Sequence, residues 1–272
     1  MTVSIEHHQA ELINYLIQIQ AYQALEEYLG QTLKEPMNQV LDNIHLAQAI
    51  LRVDIDQVEQ LAVKCQQSYL LKPSAIQQKV YFYSHYLNLQ LKQHEYGDYF
   101  RGLTPVLVDV FRLLIENDFM PEINHYMIPV VKDTVDGQPL YRGLQWYQPK
   151  IESSTNKIQS TFNKYYGEHF NYEHYVSSTH LIKLIDDYSN NERMKELAKQ
   201  LRFIEKYMRN IIAHEVICVD DALVKTRVNL TIEEVQKIYL ETLTYAGLTD
   251  QRQWDVFNQI HQTIRQALEI SE

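Results

Sequence analysis

The sequence predicts an all-α protein that contains one small β-hairpin near residues 125–147. Glycine and proline number seven each in 272 residues, which is typical of long helices rather than of strands joined by tight turns. Apolar residues recur at spacings of three and four along most of the chain, as on the buried face of an amphipathic helix. Several of these patterns begin at a residue that commonly caps a helix, which favours helices with defined starts.

Five helices are predicted in the first part of the chain, several of them begun by capping residues. Asp54 with Gln57, and Ser74 with Gln77, have the spacing of capping boxes and therefore mark helix starts. Gly30 is expected to close the first helix, because glycine readily adopts the left-handed conformation at a helix end. The predicted bounds are 5–29, 37–51, 55–65, 75–93 and 105–116.

Residues 117–157 interrupt the helical pattern with several prolines. Within them, 127–131 and 140–147 are short β-prone runs, and the Asp136-Gly137 pair that separates the runs is a turn signal. This stretch therefore predicts an irregular connection that contains a small hairpin.

Helices resume after this connection. Ser189 with Glu192 is expected to cap a long helix that ends near His214, and residues 217–228 are polar and β-branched, which predicts a loop. We predict an amino-terminal helical domain over 1–116, the connection over 117–157 and a second helical domain over 158–272. The other predicted helices of this part are 158–166, 178–188, one capped by Thr231 with Glu234 and ended by Gly247, and one from Gln251 to about Leu268 capped by Asp250 with Gln253.

Composition argues against several classes of function. The formal net charge of −10 disfavours general adhesion to nucleic acid or acidic lipid, although a local basic patch can still bind phosphate. No export signal is present and no segment approaches about 18 consecutive apolar residues, so we expect a cytoplasmic protein with no membrane partner. Cys65 and Cys218 lie far apart in apolar contexts and are expected to be reduced core residues. The histidines share no ligand spacing with Cys or Asp, so no metal or cofactor is expected.

The long helix that ends at His214 has a basic face opposite an apolar stripe. Lys199, Arg202, Lys206 and Arg209 recur at spacings of three and four and fall within about 40° of one line. From residue 192 to 214, six Lys and Arg accompany three Glu, which gives this helix a charge of +3 within an acidic chain. The face is either a phosphate-binding surface or a solvated helix face.

The same helix ends with an arginine, an amide and a histidine at Arg209, Asn210 and His214. Arg209 and His214 are five residues apart, which separates them by about 140° around an ideal helix. One regular helix therefore does not bring both side chains onto one phosphate. Either the helix end deforms, or two copies of the motif face each other across a two-fold axis and form a composite site. The second alternative predicts a homodimer.

The segment R-N-I-I-A-H, residues 209–214, resembles the signature of the HEPN ribonuclease superfamily. Residues 93–111, Q-H-E-Y-G-D-Y-F-R-G-L-T-P-V-L-V-D-V-F, are similar to a segment of the accessory ribonuclease of type III CRISPR systems, the Csm-type subfamily, and residues 13–25 are similar to its early helix. The resemblance implies that 158–272 is a HEPN helical bundle. It also implies a dimeric, metal-independent endoribonuclease that cleaves single-stranded RNA in antiviral defence and leaves 2′,3′-cyclic phosphate ends.

The resemblance implies roles for the residues of the motif. Arg209 and His214 are the expected catalytic residues, because arginine binds phosphate oxygens through its planar fork and histidine transfers protons near neutral pH. Asn210 either orients a phosphate or the histidine, or caps a neighbouring helix. The residues expected to bind RNA along the basic face are Lys199, Arg202 and Lys206.

Full-length relatives carry an amino-terminal Rossmann-like sensor domain for cyclic oligoadenylate, whereas this sequence begins with helical patterns. Three alternatives stay open: the sequence is a carboxy-terminal portion, a split protein whose sensor is a separate sensor domain or chain, or a relative that has lost the sensor. Control by cyclic oligoadenylate is therefore not carried over to these residues. An alternative function of a different class is a catalytically silent HEPN-type module that binds a partner protein or a nucleotide, as an antitoxin or a scaffold. A binding module has no need of the Arg209/His214 pair, so the intact pair favours the ribonuclease.

Overall fold

The structure is a computed structural model that describes residues 5–33, 37–71, 74–167 and 170–271. It is predominantly helical with one two-stranded antiparallel sheet, which confirms the predicted all-α fold with a small hairpin. None of the helices in the described ranges combines the length and the apolar character needed to cross a membrane. The α-helices are α1 (His7–Gln18), α2 (Tyr22–Thr32), α3 (Asn38–Arg52), α4 (Ile55–Lys64), α5 (Ala75–Lys92), α6 (Tyr96–Asp118), α7 (Gln148–Glu152), α8 (Lys157–Tyr166), α9 (Ser178–Tyr188), α10 (Glu192–His214), α11 (Asp221–Val228), α12 (Ile232–Tyr245), α13 (Gln251–Trp254) and α14 (Val256–Ala267). Short 3₁₀ helices cover Ser68–Leu70 and Ile123–Tyr126, and the strands are β1 (Met127–Asp133) and β2 (Pro139–Trp146).

The chain divides into two compact units. The first comprises residues 1–99 and 249–272, and the second comprises residues 100–248. The division falls inside α6, and the two carboxy-terminal helices belong to the first unit. The predicted domains 1–116, 117–157 and 158–272 divide the chain differently and stay a prediction.

Helix α3 is the centre of the first unit and packs against α2, α4, α5 and α14. Val40, Ile44 and Ala47 repeat at spacings of four and three along one buried face of this helix. Leu46 and Ala49 are also fully buried and lie on the opposite side. Helix α3 is therefore covered on two sides, as expected for the central helix of a core.

Helix α10 is the centre of the second unit and packs against α9, α11 and α12. The predicted apolar stripe is buried at Leu197, Leu201, Ile204 and Met208, each with 0% of its surface exposed. The opposite side of α10 carries the exposed residues of the basic face and of the motif. One side of α10 therefore packs the core, and the other remains accessible.

The hairpin belongs to the second unit, with its turn between Asp133 and Pro139 and its open, buried end at the pair Met127 and Trp146. A register shift between Val130 and Val131 introduces a bulge into the ladder. The buried Trp146 donates its indole N–H to Nδ1 of His180 at 3.1 Å. The predicted hairpin is thus confirmed, and its buried end is fixed by a side-chain hydrogen bond to α9.

Two predictions in the first part of the chain were wrong in their bounds. The single helix expected over 5–29 is divided at Gln20, which has a left-handed φ of 56°, and Gly30 lies inside α2 instead of closing a helix. The helix expected over 105–116 begins at Tyr96, because Pro105 removes only one backbone N–H and α6 continues through it.

Three predictions in the second part were also wrong. The loop expected over 217–228 contains α11, which is capped by the side chain of Asp220. The cap of α10 is Asn191, not Ser189, because its side chain accepts the Met194 N–H at 3.0 Å. The helix expected from Gln251 onward is divided at Asp255, although its predicted cap, Asp250, is confirmed.

The prediction that both cysteines lie in the core was wrong. Cys218 is exposed, and Cys65 is only partly buried. Burial nonetheless raises the pKa of the Cys65 thiol to about 11, with a smaller increase from Asp42.

Candidate active site

The motif lies at the end of a regular helix. Helix α10 continues without interruption to His214, and the chain then becomes extended at Glu215 (φ −124°, ψ 143°). The Glu215 N–H still donates to the Ile211 carbonyl at 2.9 Å, so the last turn has ordinary α-helical geometry. The end of the helix is therefore not deformed in this chain. Arg209 and His214 remain about 140° apart around the helix axis.

The three motif side chains are accessible. Arg209 has 54% of its side-chain surface exposed, and its Nη1 is 3.9 Å from Oε1 of Glu205. Asn210 and His214 are exposed as well. Within the ranges that the structure describes, the side chains of Asn210 and His214 form no hydrogen bond or ion pair, and Arg209 has only its contact with Glu205. Arg209 and His214 are thus available for a ligand, but on different sides of α10.

The basic face is less uniform than the sequence suggests. Lys199 is paired with Asp186, and Arg202 donates to Glu205 at 3.2 Å and to the hydroxyl of Thr179 at 2.6 Å. Lys206 is exposed, and its closest described interaction is with the ring of Tyr207, whose centroid is 5.5 Å from Nζ. Of the three predicted RNA-binding cations, Lys206 is the one without a carboxylate partner among the described residues.

Sequence reasoning missed Glu205, a carboxylate on the same helix whose side chain is only 2% exposed. Its Oε2 accepts hydrogen bonds from Ser178 Oγ at 2.6 Å and from Arg202 Nη1 at 3.2 Å. The signal was present in the spacing, because Glu205 borders the apolar stripe and precedes Arg209 by one helical turn. Acidic residues are rarely buried without such partners.

An exposed aromatic pair was also missed. Phe203 and Tyr207 have 45% and 40% of their surface exposed, and their ring centroids are 4.5 Å apart. With Asn210 and His214 they follow the i, i+4, i+7, i+11 spacing, so all four lie on one face of α10. The sequence signal that could have found them is this spacing.

Two other histidines, His180 and His85, are buried, and burial changes their pKa values. Burial lowers the pKa of His180 to about 4, with smaller contributions from Lys183 and His174. Burial likewise lowers the pKa of His85 to about 4. Both are therefore neutral at pH 7. The described residues contain no group of three or more His, Cys, Asp or Glu that could hold a metal ion.

Comparison with known proteins shows which family and which solved structure the chain resembles. The family described as the Cas_Csm6 HEPN domain matches residues 69–265, a range that includes the whole of α10. Among curated proteins, none matches the sequence. A solved structure described as Enterococcus italicus Csm6 bound to cyclic hexa-2′-fluoro-hexa-dAMP is similar in fold, with a TM-score of 0.63 and 11% sequence identity. The similarity covers 97% of this chain but 59% of the Enterococcus chain.

The family match extends over most of the sequence and includes Arg209, Asn210 and His214. The helical fold agrees with it, since the solved Csm6 chain is similar over almost the whole described length. The resemblance found in the sequence is therefore confirmed, and the chain belongs to the Csm6 HEPN-domain family.

Proposed function

We propose that the protein is a metal-independent endoribonuclease that cleaves single-stranded RNA in type III CRISPR antiviral defence. The observation that carries this proposal is the accessible Arg209/His214 pair at the end of α10, in a chain of the Csm6 HEPN-domain family. Among the described residues His214 has no hydrogen-bond or ion-pair partner, and Arg209 has a single, long ion-pair contact to Glu205 (3.9 Å), whereas most other cations of α10 are paired at shorter distances. Side chains left available in this way are suited to a ligand.

The residues match the chemical requirements of RNA cleavage without a metal. The 2′-hydroxyl must lose a proton, the leaving 5′-oxygen must gain one, and the charge on the phosphorane must be stabilised. We assign proton transfer to His214, because imidazole is the side chain best suited to it near neutral pH. We assign phosphate binding to Arg209, whose planar guanidinium matches phosphate oxygens. The products are a 2′,3′-cyclic phosphate and a 5′-hydroxyl.

The site is proposed to be composite and to form in a homodimer. Since α10 is regular to its end, one chain presents Arg209 and His214 on different sides, and a second copy supplies the complementary residue. The exposed rings of Phe203 and Tyr207 support this arrangement, because they provide an apolar contact on the same face as His214. Asn210 lies on that face between the aromatic pair and His214 and is proposed to orient the scissile phosphate.

A cleavage assay in EDTA tests the proposal. Labelled single-stranded RNA should be degraded by the purified protein in the presence of the chelator, and the matched His214→Ala protein should be inactive. Fragments should resist 3′-end ligation until the cyclic phosphate has been opened and the remaining phosphate removed, which restores a 3′-hydroxyl. Intact RNA with the unaltered protein, together with tight binding of a nucleotide or a protein partner, would favour the catalytically silent module.

Control by cyclic oligoadenylate is proposed to reach this protein through a separate sensor domain or chain. The Enterococcus Csm6 is described with a bound cyclic hexanucleotide analogue, but this chain matches 59% of that protein, and the described residues contain one two-stranded sheet instead of the Rossmann-like domain expected of the sensor. Adding cyclic hexa-adenylate to the purified chain should therefore leave its cleavage rate unchanged. Stimulation of the chain by itself would place the sensor within these residues.

A further inference from the structure

Glu205 is a buried charge at the back of the candidate site. Its side chain is 2% exposed, although a carboxylate in such surroundings is strongly destabilising unless its oxygens have partners. It precedes Arg209 by four residues on α10, so the two side chains lie on adjacent turns of the same face. We infer that Glu205 is a positioning residue that orients the guanidinium of Arg209, an inference that rests on the proposed ribonuclease function.

The two carboxylate oxygens of Glu205 have different partners. Oε2 accepts from Ser178 Oγ at 2.6 Å and from Arg202 Nη1 at 3.2 Å. Oε1 is directed towards Arg209, whose Nη1 is 3.9 Å away. One oxygen thus fixes the carboxylate, and the other provides a negative charge beside the catalytic arginine.

A second helix anchors this arrangement. Ser178 and Thr179 form the first turn of α9, and both contact the network, Ser178 through Glu205 and Thr179 through Arg202 Nη2 at 2.6 Å. Arg202 is therefore engaged at both ends of its guanidinium by buried or partly buried partners. In this inference Arg202 holds Glu205, and the RNA contact predicted for Arg202 stays a prediction.

The geometry explains why a fixed carboxylate matters for Arg209. An arginine side chain with 54% of its surface exposed samples many rotamers, and ordering it on a phosphate has an entropic cost. A carboxylate held rigidly one turn away attracts Nη1, while the N–H groups of Nε and Nη2 have no partner among the described residues and stay available to a phosphate. The guanidinium is then partly ordered before RNA binds. This favours the step in which charge develops on phosphate more than it favours RNA binding itself.

Glu205→Gln separates this role from a structural one. The single amide oxygen of glutamine can still accept from Ser178 and Arg202, and the amide nitrogen then faces Arg209, donor against donor. We expect kcat to fall by about 10-fold or more, with KM changed less, because positioning errors near the reacting atoms have effects of up to about 10²-fold. Glu196→Gln is the matched control, since Glu196 lies on the same helix and pairs with an arginine far from the motif.

A double-mutant cycle tests whether Glu205 influences cleavage through Arg209. Glu205→Gln is measured in the unaltered chain and in an Arg209→Met background, which removes the cation and its N–H groups and whose residual rate is followed with excess protein over RNA. If Glu205 acts through Arg209, its substitution lowers kcat in the first background and has little effect in the second. Equal losses in both backgrounds, or no loss in either, would overturn the inference.

Two further measurements distinguish a loss of positioning from a loss of folding in Glu205→Gln. Circular dichroism and melting temperature show whether Glu205→Gln is folded, and if it is not, Ser178→Ala is used, since it removes one partner of Oε2 and keeps the charge. That variant should lower kcat by a smaller factor, again through Arg209; an unchanged kcat would contradict the inference. Full activity of Arg209→Ala would instead refute the proposed function, so the two failures are distinguishable.

Discussion

Helices α3 and α10 are the central helices of the two compact units, yet they use their surfaces differently. Helix α3 is buried on two sides, and at Val53 the chain turns through a left-handed residue (φ 56°) directly into α4. Helix α10 has 23 residues and is buried along one stripe, and its last two turns present exposed polar side chains. The sequence of α3 is therefore accounted for by packing, whereas that of the α10 end is not.

The contrast also appears within α10. In its first four turns the cations are satisfied internally, as shown by Arg193 with Glu196 and Glu241 and by Lys195 with Glu192. In its last turns Arg209 has only a 3.9 Å contact, and His214 has no partner among the described residues. Polar residues that neither pack nor pair inside the fold point to an external ligand, and four predictions test this distinction.

The largest effect is expected for the motif itself. Arg209→Ala and His214→Ala should each lower the cleavage rate by at least about 10²-fold, as for loss of a phosphate clamp or of a proton-transfer group. Both residues are exposed, so the melting temperature should stay within a few degrees of that of the unaltered protein. Single-turnover kinetics with labelled RNA measures the loss. Full activity of a His214→Ala protein of matched purity would show that the end of α10 has no catalytic role, so that α10 would not differ from α3 in function.

The next largest effect concerns the exposed aromatic pair. Phe203→Asp should weaken the proposed dimer and lower activity by about 10-fold or more at low protein concentration, because a carboxylate would be buried in the contact. Activity should recover as the concentration rises. Sedimentation at the protein concentrations of the assay shows whether the protein is a dimer or a monomer. Leu240→Asp is a suitable control, since Leu240 is similarly exposed on α12. A Phe203→Asp monomer that cleaves at the full rate would refute the composite site.

The sequence predicted those features that depend on local spacing. The hairpin, the caps at Asp54 and Thr231 and the apolar stripe of α10 all follow from patterns within a few residues. Breaks such as the one at Gln20 were missed, because a left-handed non-glycine residue has no strong local signal. The motif was found because its residue types are chemically distinctive.

The partners of the site were not predictable in the same way. Glu205 and Ser178 are 27 residues apart in sequence and meet only when α9 packs against α10. The pairing of Lys199 with Asp186 depends on the same packing. A periodic pattern places side chains on a helix face, but it does not show which of them will find a counter-charge on a neighbouring helix.

A smaller effect is expected on the pH dependence of stability, and it comes from two buried histidines, His85 in the first unit and His180 in the second. Burial lowers both pKa values from 6.5 to about 4, so the unfolded chain binds protons first as the pH falls. Each histidine therefore contributes stability that is present above about pH 6.5 and is lost progressively between pH 6.5 and 4. The loss should reach about 2 kcal/mol per histidine at pH 5 relative to pH 7.

Chemical denaturation at pH 7 and pH 5 measures this loss in variants that keep one hydrogen bond each. His180→Asn retains an acceptor for the Trp146 indole, and His85→Gln retains a donor for the Gln253 carbonyl. Each should be less pH-dependent than the unaltered chain. If only one of the two substitutions makes the free energy of unfolding less pH-dependent, the histidine at the other position is not held neutral in the folded protein. The two units would then differ in the protonation of their buried histidines.

The smallest effect distinguishes the two kinds of cation on α10. Lys206 is exposed without a carboxylate partner among the described residues, whereas Arg202 is bound to Glu205 and Thr179. If Lys206 contacts RNA phosphate, Lys206→Gln should reduce the slope of log K against log salt by about 0.7, the value expected for one contact to a single strand.

Arg202→Gln should leave the slope unchanged and lower the melting temperature, because buried Glu205 loses a partner. Both are measured in a His214→Ala background so that the RNA stays intact. An unchanged slope for Lys206→Gln would show that this side of α10 is a solvated face, and would confine the ligand-binding part of the helix to its last two turns.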